Sequence, residues 1–312
     1  MKTALVLFGA TASGKTAALS RVFREHPDLA EQVELLSADS RQVYRWLDIG
    51  TAKPSGAERT DPPLHLVDFL DPREAFDLGT FVHACDQLVP EIRRRNRLPV
   101  ITGGTAFYIK GYLYGLPETP PASVEVREQL RKRAHTDGLH TLRDELLRVD
   151  PESARRIGEN DEYRILRALE VFRSTGRPRS AFTEPHTVRP GLDVLLIGLR
   201  RDREDLYRRI NARVEAMFEA GLPREVEEQY RRGYRPEDPG LRTIGYREFF
   251  EIDHRPPWSP ESLPLIRDRI ARNTRHYARR QEIFFRQLPE IRWIDAEDTE
   301  SLAVAIEEAI QG

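Results

Sequence analysis

At 312 residues the chain has room for one large domain or two modest ones. With 39% hydrophobic and 32% charged residues and no apolar run near membrane-span length, it reads as a soluble, cytoplasmic globular protein without a signal peptide. A single cysteine, Cys85, excludes an internal disulfide and a multi-cysteine zinc site, and a net charge of −2 excludes a chain that is basic all over.

Residues 4–8 (ALVLF) predict a buried strand that ends at Gly9, with a helix from Lys15 to Glu25 after it. Residues 33–37 (VELLS) predict a second strand and residues 65–69 (HLVDF) a third. Leu78, Phe81, Val82, Cys85, Leu88, Val89 and Ile92 recur at helical spacing over 78–95, which reads Cys85 as a small buried side chain. Residues 98–102 (LPVIT) predict a strand that runs into Gly103 and Gly104. Strands alternating with helices across short turns imply a parallel α/β sheet.

After Leu116 the texture changes: Pro117, Pro120 and Pro121 break the chain, and short charged helices are predicted at 124–135, 139–148, 151–157 and 161–174. The sheet pattern resumes with a strand at 193–199 (DVLLIGL) and a helix at 202–220, stopped by Gly221. Helices at 223–232, 264–286 and 298–310 and an edge strand at 291–294 complete the chain. Residues 265–286 hold seven Arg against Asp268 and Glu282, whereas 287–312 hold seven acids against Arg292. Such a local basic face either binds phosphates or is a solvated Arg-rich helix.

Gly9-Ala10-Thr11-Ala12-Ser13-Gly14-Lys15-Thr16 fits G-x-x-x-x-G-K-[ST] between a predicted strand and helix, the context a P-loop requires. Its glycines let successive N–H groups turn inward on phosphate oxygens, and the helix dipole adds positive charge. Lys15 reaches the outer phosphate, and the Thr16 hydroxyl is the candidate Mg²⁺ ligand. The expected fold is therefore α/β, a P-loop NTPase-like parallel sheet core of residues 1–117 plus 192–312, with an inserted all-helical domain at 118–191. The motif specifies a diphosphate-containing ligand and leaves the reaction open.

Asp39 follows the second strand, so it should face the phosphate site, as a Mg²⁺ ligand, a general base or a helix cap. Thr105 follows the Gly103-Gly104 pair at a helix start on the same crevice. His65 and Asp68, on the strand between, are read as structural.

Together with GATASGKT (9–16), the segments SADSRQVYRWLDIGTAKP (37–54), HLVDFLDP (65–72), PVITGGTAFYIKGYLYGLP (99–117), DEYRILRALEVFRSTGRPRS (161–180), RINARVEAMFEAGLPREV (209–226), TIGYREF (243–249) and ARRQEIFFR (278–286) resemble the bacterial tRNA dimethylallyltransferases, or tRNA isopentenyltransferases. The resemblance implies transfer of the five-carbon group of dimethylallyl diphosphate to N6 of an adenine beside the tRNA anticodon, with Mg²⁺ as cofactor. The P-loop would then hold a leaving diphosphate, with Lys15 stabilising its growing charge. Asp39 would take the N6 proton, and Thr105 would hydrogen-bond near the reacting atoms. The adenine must leave its stack to be reached. The resemblance places tRNA contacts at Asp39, Ser40, Arg41, Gln42, Thr105, Arg127, Tyr163, Arg164, Ile165, Leu166, Arg167, Arg242, Thr243, Ile244, Gly245, Tyr246 and Arg247. Ala10 stands where the family usually has Pro, a change that costs no donor, and Tyr163 where it often has Gln. The acceptor would be the anticodon stem-loop, with no protein partner and a monomeric chain. Three rival readings are a prenyltransferase acting on free AMP, ADP or ATP, a P-loop small-molecule kinase, and a non-catalytic nucleic-acid-binding NTPase.

Overall fold

The computed structural model describes residues 2–56, 59–119, 124–183 and 185–312. Pro120 and Pro121, two of the expected chain breaks, lie outside them. The chain divides into two compact units, one of Met1–Leu113 with Pro190–Gly312 and one of Tyr114–Arg189.

In the first unit β1 (Ala4–Phe8), β2 (Val33–Ser37), β3 (Leu64–His65), β4 (Leu98–Gly103), β5 (Val194–Arg200) and β6 (Arg292–Asp295) form one all-parallel sheet. Its order is β3-β2-β4-β1-β5-β6. Every residue of β1 and β2 is buried, as parallel strands covered on both faces require. Helices α1 (Lys15–Glu25), α2 (Pro27–Glu31), α3 (Leu78–Arg94) and α4 (Ala106–Tyr114) fall between the early strands. On one face Leu5, Leu7 and Leu35 pack with Leu19, Val22 and Phe23 of α1 and with Leu302 and Ile306 farther along the chain. On the other, Phe8 meets Phe285 with ring centres 4.6 Å apart. Cys85 is fully buried on α3, in keeping with its apolar stripe.

The HLVDF segment behaves differently from its sequence pattern. Only Leu64 and His65 pair, with Leu35 and Leu36. Leu66 and Asp68 adopt φ of 63° and 62°, which ends the strand. Asp68 turns to accept from Lys53 Nζ at 2.7 Å and Arg59 Nη1 at 2.8 Å, and His65 Nε2 lies 2.7 Å from buried Glu34. Asp68 thus joins an ion-pair network and His65 a hydrogen-bonded contact with Glu34.

The second unit holds α5 (Val124–Thr136), α6 (Leu139–Val149), α7 (Pro151–Arg156) and α8 (Glu162–Thr175) around Leu130, Leu142, Leu146, Ile165 and Leu169. Asp150 and Asp161 cap α7 and α8, and Gly176 ends α8 with φ 69°. The first unit closes with α9 (Arg203–Glu219), α10 (Leu222–Arg231), α11 (Arg247–Asp253), α12 (Ser262–Phe285) and α13 (Thr299–Gln311). No described helix is long and apolar enough to cross a membrane.

Candidate active site

Strand register builds the site. Thr102 of β4 pairs with Leu7 of β1 and with Ser37 of β2, so three strands end at one level. The loops beyond them carry the P-loop, Asp39 and Thr105. Because β4 separates β1 from β2, the P-loop and Asp39 lie two strand spacings apart, roughly 10 Å.

The P-loop leads into α1, whose N-terminus has Gly14 at φ 105° and no side-chain cap. No side chain caps its first N–H groups, as is also true of α6, α10 and α12, so what sets α1 apart is the glycine-rich loop that precedes it. Lys15 Nζ donates to the carbonyls of Gly9 and Ala10 at 2.8 and 2.9 Å. Burial pulls its pKa down to about 8, against the opposing pull of Asp39. Thr16 is exposed at the mouth, and Ser13 is buried within the loop.

Across the cavity, Asp39 Oδ1 accepts the N–H groups of Arg41 at 2.8 Å and Gln42 at 3.3 Å. Asp39 Oδ2 has no hydrogen-bond partner among the described residues. Thr105 N–H donates to the Ala38 carbonyl at 3.0 Å, and its Oγ1 accepts Ser40 N–H at 3.0 Å. That weave explains Gly103: a Cβ there would lie 2.3 Å from the Ala38 carbonyl oxygen. Gln42 Nε2 donates to the Ala52 carbonyl at 3.1 Å, so segment 48–52 steadies the Asp39 turn. Glu225 fixes that segment in turn, accepting N–H groups of Asp48, Ile49 and Gly50 and the Tyr246 hydroxyl at 2.6 Å.

Thr11, Lys15, Thr16, Asp39 and Gln42 all line one cavity of about 840 Å³. Arg213 of α9 and Tyr277 and Gln281 of α12 line it too, none of them singled out by the sequence. Burial lowers the Arg213 pKa against the pull of Asp39. Tyr277 is pushed up to about 12 by burial and by Asp39. The available signal was polar residues on otherwise buried helix faces.

The remaining sequence candidates sort by exposure. In the second unit Tyr163 is 67% exposed and Arg164 is exposed, whereas Ile165 and Leu166 are in its core. Arg127 and Arg167 converge on buried Glu170, with Nη2 and Nη1 at 3.3 and 3.1 Å from its carboxylate. In the 242–247 run, Arg242 is exposed and Arg247 half-buried, with its Nε on Glu248 at 3.2 Å. Thr243 and Tyr246 are buried, and Gly245 sits at φ 104°. Ile165, Leu166, Thr243 and Tyr246 thus support a surface that their neighbours present. The Arg of α12 divide as well: Arg267 and Arg275 reach Glu215 and Asn211 of α9, whereas Arg269, Arg272, Arg279 and Arg280, with Arg286 at the C-cap, are exposed.

A loop of P-loop sequence, a carboxylate and two part-buried cations line one crevice of an α/β fold, a composition suited to a transferase that handles phosphate groups. The family model described as IPP transferase matches residues 42–288, and the chain belongs to that family. It is 42% identical to tRNA dimethylallyltransferase 2 of Geotalea uraniireducens, over 93% of this chain and 91% of that one. It is 40% identical to the tRNA dimethylallyltransferase of Geobacter sulfurreducens, over 94% of this chain and 92% of that one. Among solved structures, the tRNA isopentenylpyrophosphate transferase of Bacillus halodurans superposes with a TM-score of 0.65 at 33% identity, covering 99% of each chain. A eukaryotic dimethylallyltransferase acting on tRNA shares the fold, with a TM-score of 0.74 at 24% identity over 99% of this chain and 77% of that one.

Proposed function

We infer that the chain transfers a dimethylallyl group from dimethylallyl diphosphate to tRNA, at N6 of an adenine beside the anticodon, and releases diphosphate. The observation that carries this reading is the shared cavity of the P-loop with Asp39, within family membership over most of the chain. As the allylic C–O bond breaks, negative charge grows on the diphosphate. The N–H groups at the start of α1, Arg213 and the Lys15 ammonium, which keeps one donor beyond its bonds to the Gly9 and Ala10 carbonyls, meet that charge. Adenine N6 attacks the freed carbon, and Asp39, through its unpartnered Oδ2, takes the N6 proton. Thr105, tied to Ser40, orients the acceptor.

The donor set fits Mg²⁺. Thr16 offers a hydroxyl in the cavity, and no described cluster of three His, Cys, Asp or Glu provides a full protein cage. An ion of this type is held by substrate oxygens and water with few protein ligands. When bound, it neutralises diphosphate charge.

Exposed Arg242 of the first unit, and separately exposed Tyr163 and Arg164 of the second, are proposed as tRNA contacts. The chain is proposed to work as a cytoplasmic monomer. The test is transfer itself: labelled dimethylallyl diphosphate with tRNA, or with AMP, ADP and ATP. Label entering tRNA supports the reading; label entering only free nucleotides moves the acceptor; ATP consumption without a prenyl donor indicates a kinase.

A further inference from the structure

Tyr277 and Gln281 stand one helical turn apart on α12 and both line the cavity. Gln281 is 3% exposed, and both ends of its amide are engaged. Its Oε1 accepts the Thr11 N–H at 2.9 Å, and its Nε2 donates to the Gly104 carbonyl at 2.6 Å. Thr11 belongs to the P-loop, and Gly104 immediately precedes Thr105. One side chain therefore ties the leaving-group grip to the loop that carries the acceptor contact.

The sheet does not supply that tie. The β1–β4 ladder ends at Phe8 and Gly103. Beyond that level the two loops share no backbone hydrogen bond among the described residues. Gly104 is shaped around the bridge, since a Cβ there would lie 2.6 Å from Gln281 Nε2. An in-line displacement needs diphosphate, carbon and N6 held at one spacing, and misplacement by about 1 Å costs on the order of 10²-fold in rate.

We propose that Gln281 is a positioning residue for prenyl transfer, a bridge that sets the separation of the P-loop from the Gly104-Thr105 loop. This rests on the cavity being the prenyl-transfer site. Gln281→Met keeps the length and volume of the side chain and removes both hydrogen bonds. Gly104→Ala keeps the glutamine and pushes its amide away. Each should lower kcat by about 10- to 10²-fold. KM for donor and tRNA should stay within about threefold, because the groups that touch them remain. Because both changes break one bridge, the double variant should be no slower than the slower single.

The experiment is steady-state prenylation of tRNA by wild type, both single variants and the double variant, with melting temperature measured alongside. A kcat for Gln281→Met within about twofold of an active wild type overturns the proposal, as does full multiplicative loss in the double variant. A change confined to melting temperature returns Gln281 to a purely structural role and also overturns it. Should Gln281→Met fail to fold, Gly104→Ala decides: unchanged kcat overturns the bridge, and lowered kcat at unchanged KM supports it. An inactive wild type would contradict the broader prenyl-transfer reading instead.

Discussion

Lys15 is the residue with the sharpest chemical consequence. Its pKa of about 8 means that the ligand-free enzyme loses this charge in mildly alkaline solution. Affinity for diphosphate should therefore fall as pH rises through about 8, a step absent from Lys15→Met; calorimetric titration at several pH values checks it. The sign for stability is opposite. A lysine whose folded pKa is depressed makes the unfolded chain hold more protons between about 8 and the ordinary 10.5, so its contribution to folding becomes more favourable across that window. Asp39→Asn keeps the acceptor oxygen for the Arg41 and Gln42 N–H groups but cannot take a proton. It should bind tRNA within a few fold of wild type and lose about 10²- to 10⁴-fold in turnover. Retained turnover would remove the base; lost binding alone would make Asp39 a positioning group.

At the scale of elements, the sheet was legible because β1, β2 and β4 are apolar runs buried on both faces, each closing on a glycine or a polar turn. The Asp-capped helices α7, α8 and α13 were legible for a similarly local reason. HLVDF misled because its apolar spacing carries no signal of the positive φ at Leu66 and Asp68, where Asp68 pairs with the buried Lys53 ammonium. Tyr277, Gln281 and Arg213 escaped because their roles depend on helices that return to the sheet more than a hundred residues after the P-loop. Two outcomes follow for elements. Gly103→Ala should lift the β4 end off Ala38 and carry Thr105 with it, lowering kcat by about 10²-fold or more in the prenylation assay. At β2, burial raises the Glu34 pKa, but hydrogen bonds from Arg95 and His65 outweigh it and hold the carboxylate below its usual range. Glu34→Gln should destabilise the fold by about 1–3 kcal/mol in urea unfolding, toward the lower end because Arg95 is half exposed. Its effect on kcat per folded molecule should be small.

At the scale of the whole molecule, an even-handed net charge conceals local division of labour. Arg267 and Arg275 of α12 are occupied in holding α9, so the basic sequence overstates the charge that helix offers to a ligand. Arg272→Ala and Arg279→Ala, at exposed positions, should weaken binding equally for every tRNA and flatten the salt dependence of Kd. Salt curves that superimpose on wild type would leave Tyr163 and Arg164 of the second unit as the main grip. The central claim is that a P-loop here holds a leaving diphosphate while an adenine in tRNA is prenylated. Mass spectrometry of tRNA nucleosides after incubation with the protein, dimethylallyl diphosphate and Mg²⁺ tests it most directly. The prediction is a new adenosine carrying one five-carbon group, formed with release of diphosphate and lost with Lys15→Ala; unmodified tRNA nucleosides, or prenyl groups found only on free adenine nucleotides, would contradict it.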